Sequence, residues 1–100
     1  MIRNGTRLRS QVCDTHVIVV KANDSLADLR AGGTAMVPLD TPKDSEAKID
    51  PSLAEGNQMG KRYVDESGAE VLVTRPGAGT LSIGDTPMLI KEARPLPASD

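Results

Sequence analysis

"THVIVVKA", residues 15–22, is the stretch on which the fold turns. It is dense in β-branched side chains, which pack well on a pleated surface and lose rotamer freedom in a helix. It is also short for a helix, so it predicts a buried strand. Upstream, "TRLRSQV" (residues 6–12) alternates weakly and predicts a first strand. Downstream, "NDS" (23–25) is a turn, and "LADLR" (26–30) fits either one helical turn or a short strand. "AGG" (31–33) interrupts the chain, because Gly32 and Gly33 tolerate positive φ. "TAMVPL" (34–39) predicts a further short strand, with Pro38 placed as an edge strand allows.

The second half repeats this style. "KRYVDESGAEVLVTRPG" (61–77) predicts strand, turn and strand, the turn holding Gly68. "RPGAG" (75–79) is a turn cluster, and "TLSIGDTPMLIK" (80–91) predicts a second hairpin turning at Gly84-Asp85. Between the halves, residues of about 40–58 are charged and carry no apolar run, which predicts a long polar loop or linker. Inside it "DPSLAEG" fits one helical turn, with Asp50 as cap, Pro51 at the first position and Gly56 at the end. The tail, 92–100, contains Pro95 and Pro97 and is expected to be extended. There is no repeat at a solenoid period and no helix-period segment long enough for a bundle. The expectation is one small all-β domain over 1–100, a barrel or sandwich of short antiparallel strands and hairpins.

Composition narrows the function. The chain has 12 basic and 14 acidic residues, net charge -2, and no basic stripe, which disfavours phosphate-backbone binding. Tyr63 is the only aromatic side chain, too few for a base-stacking platform. No apolar run approaches a membrane span. "MIRNGTRLRS" lacks the apolar centre and cleavage site of a secretory signal. A lone cysteine forms no internal disulfide, so a reducing, cytoplasmic setting is expected. So little aromatic content points to a thin core, a partner, or both.

Cys13 and His16, the only residues of their kinds, stand three apart in "RSQVCDTH" (9–16). In an extended strand they would point to opposite faces, so they could meet only if Asp14-Thr15 turned. A structural zinc site needs four ligands, and two are present; a dimer sharing both pairs would supply four. The competing reading makes Cys13 a small buried hydrophobe and His16 a residue on the wet face of its strand. Gly77-x-Gly79 lacks the third glycine of a dinucleotide loop and the Lys-Ser/Thr ending of a P-loop, which leaves a turn. The paired carboxylates, such as Asp65-Glu66, sit in turns and are expected to be solvated.

Residues 5–39 resemble the desulforedoxin-like family, which includes the small N-terminal domain of desulfoferrodoxins. The residues that carry the likeness are "LRSQVCDTHVIVV" and "LRAGGTAMV". Cys13 falls on the second cysteine of the family's first C-x-x-C motif and Ser10 on the first. Ala31 and Gly32 fall on the paired cysteines of the second motif, and Gly33 and Met36 match the glycine and methionine after them. The resemblance implies a short β-ribbon fold whose iron ligands have mostly been lost, since three of the four thiolates are absent. Tetrahedral thiolate iron chemistry does not carry over to such a ligand set.

The chain therefore reads as a non-enzymatic accessory or interaction protein without a cofactor, docking on a larger protein partner or on itself. Tyr63, Met88, Leu89 and Ile90 are its candidate contact residues. Neither nucleic acid nor membrane is expected as a partner. The alternative is a metal-binding or redox domain that uses Cys13 and His16, shared across a dimer.

Overall fold

The computed structural model describes residues 2–42 and 46–91. The chain runs through strands β1 (Arg7–Arg9), β2 (His16–Lys21), β3 (Leu29–Ala31), β4 (Thr34–Ala35) and β5 (Val37–Pro38). It continues with β6 (Arg62–Val64), β7 (Glu70–Arg75), β8 (Leu81–Ile83), β9 (Thr86–Pro87) and β10 (Leu89–Ile90). Short 3₁₀ turns cover Asp24–Asp28 and Pro51–Leu53. All pairings are antiparallel. One sheet has the order β10-β6-β7-β2-β1-β5 and the other β4-β3-β8-β9. The all-β expectation holds.

The alternation read from "THVIVVKA" is the alternation of burial. Val17 and Val19 are buried while His16, Ile18 and Val20 are only partly so. They meet Val71 and Val73 across the β2–β7 pair at the centre of the large sheet. Leu29, Ala31 and Leu81 of the small sheet, with Leu26 of the first 3₁₀ turn, complete one aliphatic core to which Tyr63 adds the single ring. Thus "LADLR" holds both alternatives in succession, a 3₁₀ turn and then β3.

Two expectations change. "TRLRSQV" is strand only over Arg7–Arg9, and residues 11–14 bend away. "TAMVPL" is not one strand: β4 belongs to the small sheet and β5 to the large one. The chain crosses at Met36, whose backbone N–H is taken by the Leu29 carbonyl at 3.0 Å while its side chain enters the core. "TPMLI" does the same, with Met88 N donating to the Leu81 carbonyl at 2.9 Å between β9 and β10.

That parallel extends through the domain. β1–β5 and β6–β10 are related by an internal pseudo-two-fold axis, and both sheet orders read the same from either end under that exchange. Leu29, Gly32, Thr34 and Met36 recur as Leu81, Gly84, Thr86 and Met88. The register agrees: Leu8↔Val17 corresponds to Tyr63↔Val71, Arg9↔Val37 to Val64↔Leu89, and Leu29↔Ile83 to Ala31↔Leu81. Gly5 and Gly60, both at positive φ, donate to the carbonyls of Val19 and Val73 in the same way. Ile18↔Leu72 and Arg30↔Ser82 lie on the axis.

The described residues of the segment around 40–58 hold no strand, as expected, and Asp50 caps its 3₁₀ turn by accepting from Ser52 N at 2.9 Å. It is not a free linker over its second part. Asp50 N donates to the Gly32 carbonyl at 2.9 Å, and Thr80 N to the Leu53 carbonyl at 2.8 Å. Residues 43–45 of that loop and the whole tail, 92–100, lie outside the described residues.

Candidate functional site

Cys13 sits in the bent segment between β1 and β2, half-buried. Fully buried Ser10 shapes this segment: its Oγ accepts from Val12 N at 3.0 Å and Cys13 N at 3.1 Å. The Cys13 thiol lies 3.2 Å from the hydroxyl of Thr15, which is also fully buried. Burial pushes the thiol pKa up. Hydrogen bonds from the Ser10 and Thr15 hydroxyls and from the backbones of Thr15 and Gly79 outweigh it and hold the thiol below its ordinary value of 9.0. Cys13 is half-buried, and the polar groups around its sulfur favour the thiolate more than the surroundings of a small buried hydrophobe would.

Residues distant in sequence build this shell. Asn57 Nδ2 donates to Thr15 Oγ1 at 2.7 Å and to the Gly79 carbonyl at 2.8 Å, while its Oδ1 accepts from Gly77 N at 3.1 Å. The two glycines of "RPGAG" are needed for closeness, not for phosphate. A Cβ on Gly79 would stand 2.7 Å from Gly32 N and 3.1 Å from Ala31 C. One on Gly77 would stand 2.6 Å from Thr15 N. Gly79 thus packs against Ala31 and Gly32, and its backbone bonds the Cys13 thiol, which Ser10 also bonds. The donor set of Ser10, Cys13, Ala31 and Gly32, the four positions of the desulforedoxin-like pattern, is one thiol, one hydroxyl and two residues with no donor side chain, which does not fit tetrahedral iron or zinc. Among the described residues no three of His, Cys, Asp or Glu group as metal ligands.

His16 looks elsewhere. It opens β2 opposite Arg9 and Arg75 and lines a cavity of about 250 Å³ with Arg7, Val17, Ile18, Leu39 and Thr74. Asp65 is more than a solvated turn carboxylate, because it organises the β6–β7 turn. It accepts from Ser67 N at 3.1 Å and Ala69 N at 2.9 Å. Slight burial raises its pKa; the hydroxyls of Ser67 and Ser25 and these N–H groups outweigh that and hold it below the ordinary carboxylate value.

The four contact candidates do come together. Tyr63, Met88, Leu89 and Ile90 line one groove of about 670 Å³ that Gln58 and Leu81 help to wall. Their roles differ. Tyr63 and Met88 are buried and form the floor, and the Tyr63 hydroxyl accepts from Gln58 N at 3.0 Å. Leu89 is 71% exposed, on a strand that ends the large sheet.

One charged cluster left no sequence signal. Glu70 is 1% exposed, yet its carboxylate reaches Lys91 Nζ at 3.0 Å and Arg62 Nη1 at 3.5 Å. Nothing in the local pattern of β7 distinguishes it from an exposed strand carboxylate. No helix of the described residues is long and apolar enough to cross a membrane. No family model matches the chain, and the searches of curated proteins and of solved structures return no match.

Proposed function

We propose that this is a non-enzymatic docking protein that binds a larger protein partner, or a second copy of itself, along β10. The observation that carries this is the exposed Leu89 at the rim of a groove with a mixed polar and apolar lining, on a strand with one neighbour only among the described residues. A large apolar side chain in water beside a groove whose floor holds Tyr63 and Met88 is a favourable anchor. The edge of β10, unpaired among the described residues, offers backbone donors and acceptors that an incoming strand can pair. The test is purification at endogenous level with sedimentation of the pure protein, for the native chain and for Leu89→Asp. A stoichiometric companion or a dimer that Leu89→Asp abolishes, with unfolding unchanged, supports the reading. A clean monomer, or association indifferent to Leu89, overturns it.

A second reading, a redox or metal-binding domain, draws support from the thiolate-favouring shell around Cys13. The resemblance to desulforedoxin-like domains points the same way; the donor set argues against it. Bound metal after addition of zinc or ferrous iron, lost in Cys13→Ser, would reverse the ranking.

A further inference from the structure

The pseudo-two-fold axis places two unlike sites at equivalent positions. Arg7 corresponds to Arg62, His16 to Glu70, Ile18 to Leu72 and Leu39 to Lys91, as the strand registers require. In the second half these positions form the Arg62–Glu70–Lys91 cluster, a buried carboxylate held between two cations. In the first half the arginine is kept, the carboxylate is replaced by a histidine and the lysine by a leucine. The 250 Å³ cavity lies there, between Arg7, His16, Leu39 and Thr74.

We propose that this cavity binds a carboxylate-bearing ligand, which takes the place that Glu70 fills in the other half. The charges agree. Arg7 lines the cavity, Arg9 lies two residues along the same face of β1, and Arg75 pairs with His16 from the other side. Among the described residues none of these three arginines makes an ion pair with Asp or Glu. Arginine presents a planar fork of donors that matches a carboxylate in two-point contact. At position 16 the chain carries a histidine, not a carboxylate that would repel the ligand. Leu39 and Ile18 supply an apolar wall for the carbon skeleton. The site does not depend on the β10 groove. Its ligand is either a small organic acid or the acidic side chain of a protein segment.

The test is a ¹H–¹⁵N titration, following the Arg7 side chain and the His16, Ile18 and Thr74 amides. Succinate, a short glutamate-containing peptide and inorganic phosphate are added separately. Saturable shifts at these residues with succinate or with the peptide are expected; the tighter of the two names the source. Arg7→Ala is expected to weaken binding by about tenfold or more, the scale of one charge-assisted hydrogen bond. His16→Glu restores the internal carboxylate and is expected to abolish binding while the spectrum stays dispersed. No saturable shift with either carboxylate in the millimolar range overturns the proposal. So do binding indifferent to both substitutions and a response to phosphate alone.

Discussion

Gly79→Ala tests the architecture that shapes the Cys13 site. The new methyl carbon would lie 2.7 Å from Gly32 N and 3.1 Å from both Ala31 C and Gly32 Cα, where ordinary contacts between carbon atoms are about 3.5–4.0 Å. All three atoms are backbone, so no side chain can rotate away. That backbone is pinned: Gly32 N donates to the Thr80 carbonyl at 3.0 Å, and the Gly32 carbonyl accepts from Asp50 N. Relief requires the 77–80 segment to back away, which strains or breaks the Asn57 bond to the Gly79 carbonyl. Overpacking costs about 1–3 kcal/mol and a lost hydrogen bond about 1 kcal/mol more, so we expect a loss of about 3 kcal/mol. A domain of this kind has roughly 5–15 kcal/mol in total. Gly60→Ala is the control. Its φ is +77° but nothing lies within 4 Å, so it bears only the left-handed penalty of about 1–2 kcal/mol. Urea unfolding followed by circular dichroism and by Tyr63 fluorescence reads both; with a slope of about 1–3 kcal/mol/M, the midpoint for Gly79→Ala should fall by more than 1 M, roughly. The alkylation midpoint of Cys13 should also rise, since a retreating Gly79 withdraws one stabilising backbone bond. A loss in Gly79→Ala no larger than in Gly60→Ala would refute the close-approach argument.

Four further outcomes are expected from the same geometry. Alkylation of Cys13 against pH should show a midpoint below 9.0, and Thr15→Val should move it upward; a native midpoint at or above 9.0 contradicts the shell described. Because the folded thiol is the stronger acid, the native state binds fewer protons between the folded and unfolded pKa values. Stability should therefore rise with pH through that window and fall as pH drops through the folded pKa, and Cys13→Ser should flatten this slope. Glu70→Met should cost about 2 kcal/mol, less than the 3–5 kcal/mol typical of a broken buried pair. Its partners Arg62 and Lys91 are 55% and 45% exposed and can rehydrate. Removing both cations strands a buried carboxylate, and should cost more; thermal melts in which Glu70→Met proves the costlier would reverse this account. Asp65, whose folded pKa is depressed, contributes stability above the usual carboxylate value of 3.8 that is lost as pH falls through the folded pKa; Asp65→Asn should remove that acid limb from the stability curve.

The strands are legible because side-chain period and burial period coincide, as in Val17, Val19, Val71 and Val73. The sheet crossings are not, since nothing between Ala35 and Val37 marks a corner; Met36 turns because a distant carbonyl, that of Leu29, takes its N–H. The thiol's surroundings are hidden for a related reason. Thr15, Asn57 and Gly79 converge on Cys13 only through tertiary structure. The duplication escapes a search for regular periods because the shared residues are few. The loops between them also differ in length, by one residue between the first two strands of each half: 10–15 in the first and 65–69 in the second. Those two loops are also where the halves part chemically. The first builds the Cys13 turn, and the second has no counterpart of it. A scaffold repeated twice needs the same core at equivalent positions, and keeps it in Leu29 and Leu81, Met36 and Met88. It does not need one histidine where its twin has a buried glutamate, or one exposed Leu89 beside a groove. Positions that the fold would make alike and the sequence makes different are the place to look for binding. On that ground the Arg7–His16 cavity and the β10 groove, rather than the recurring glycine turns, are the surfaces whose chemistry the fold leaves unexplained.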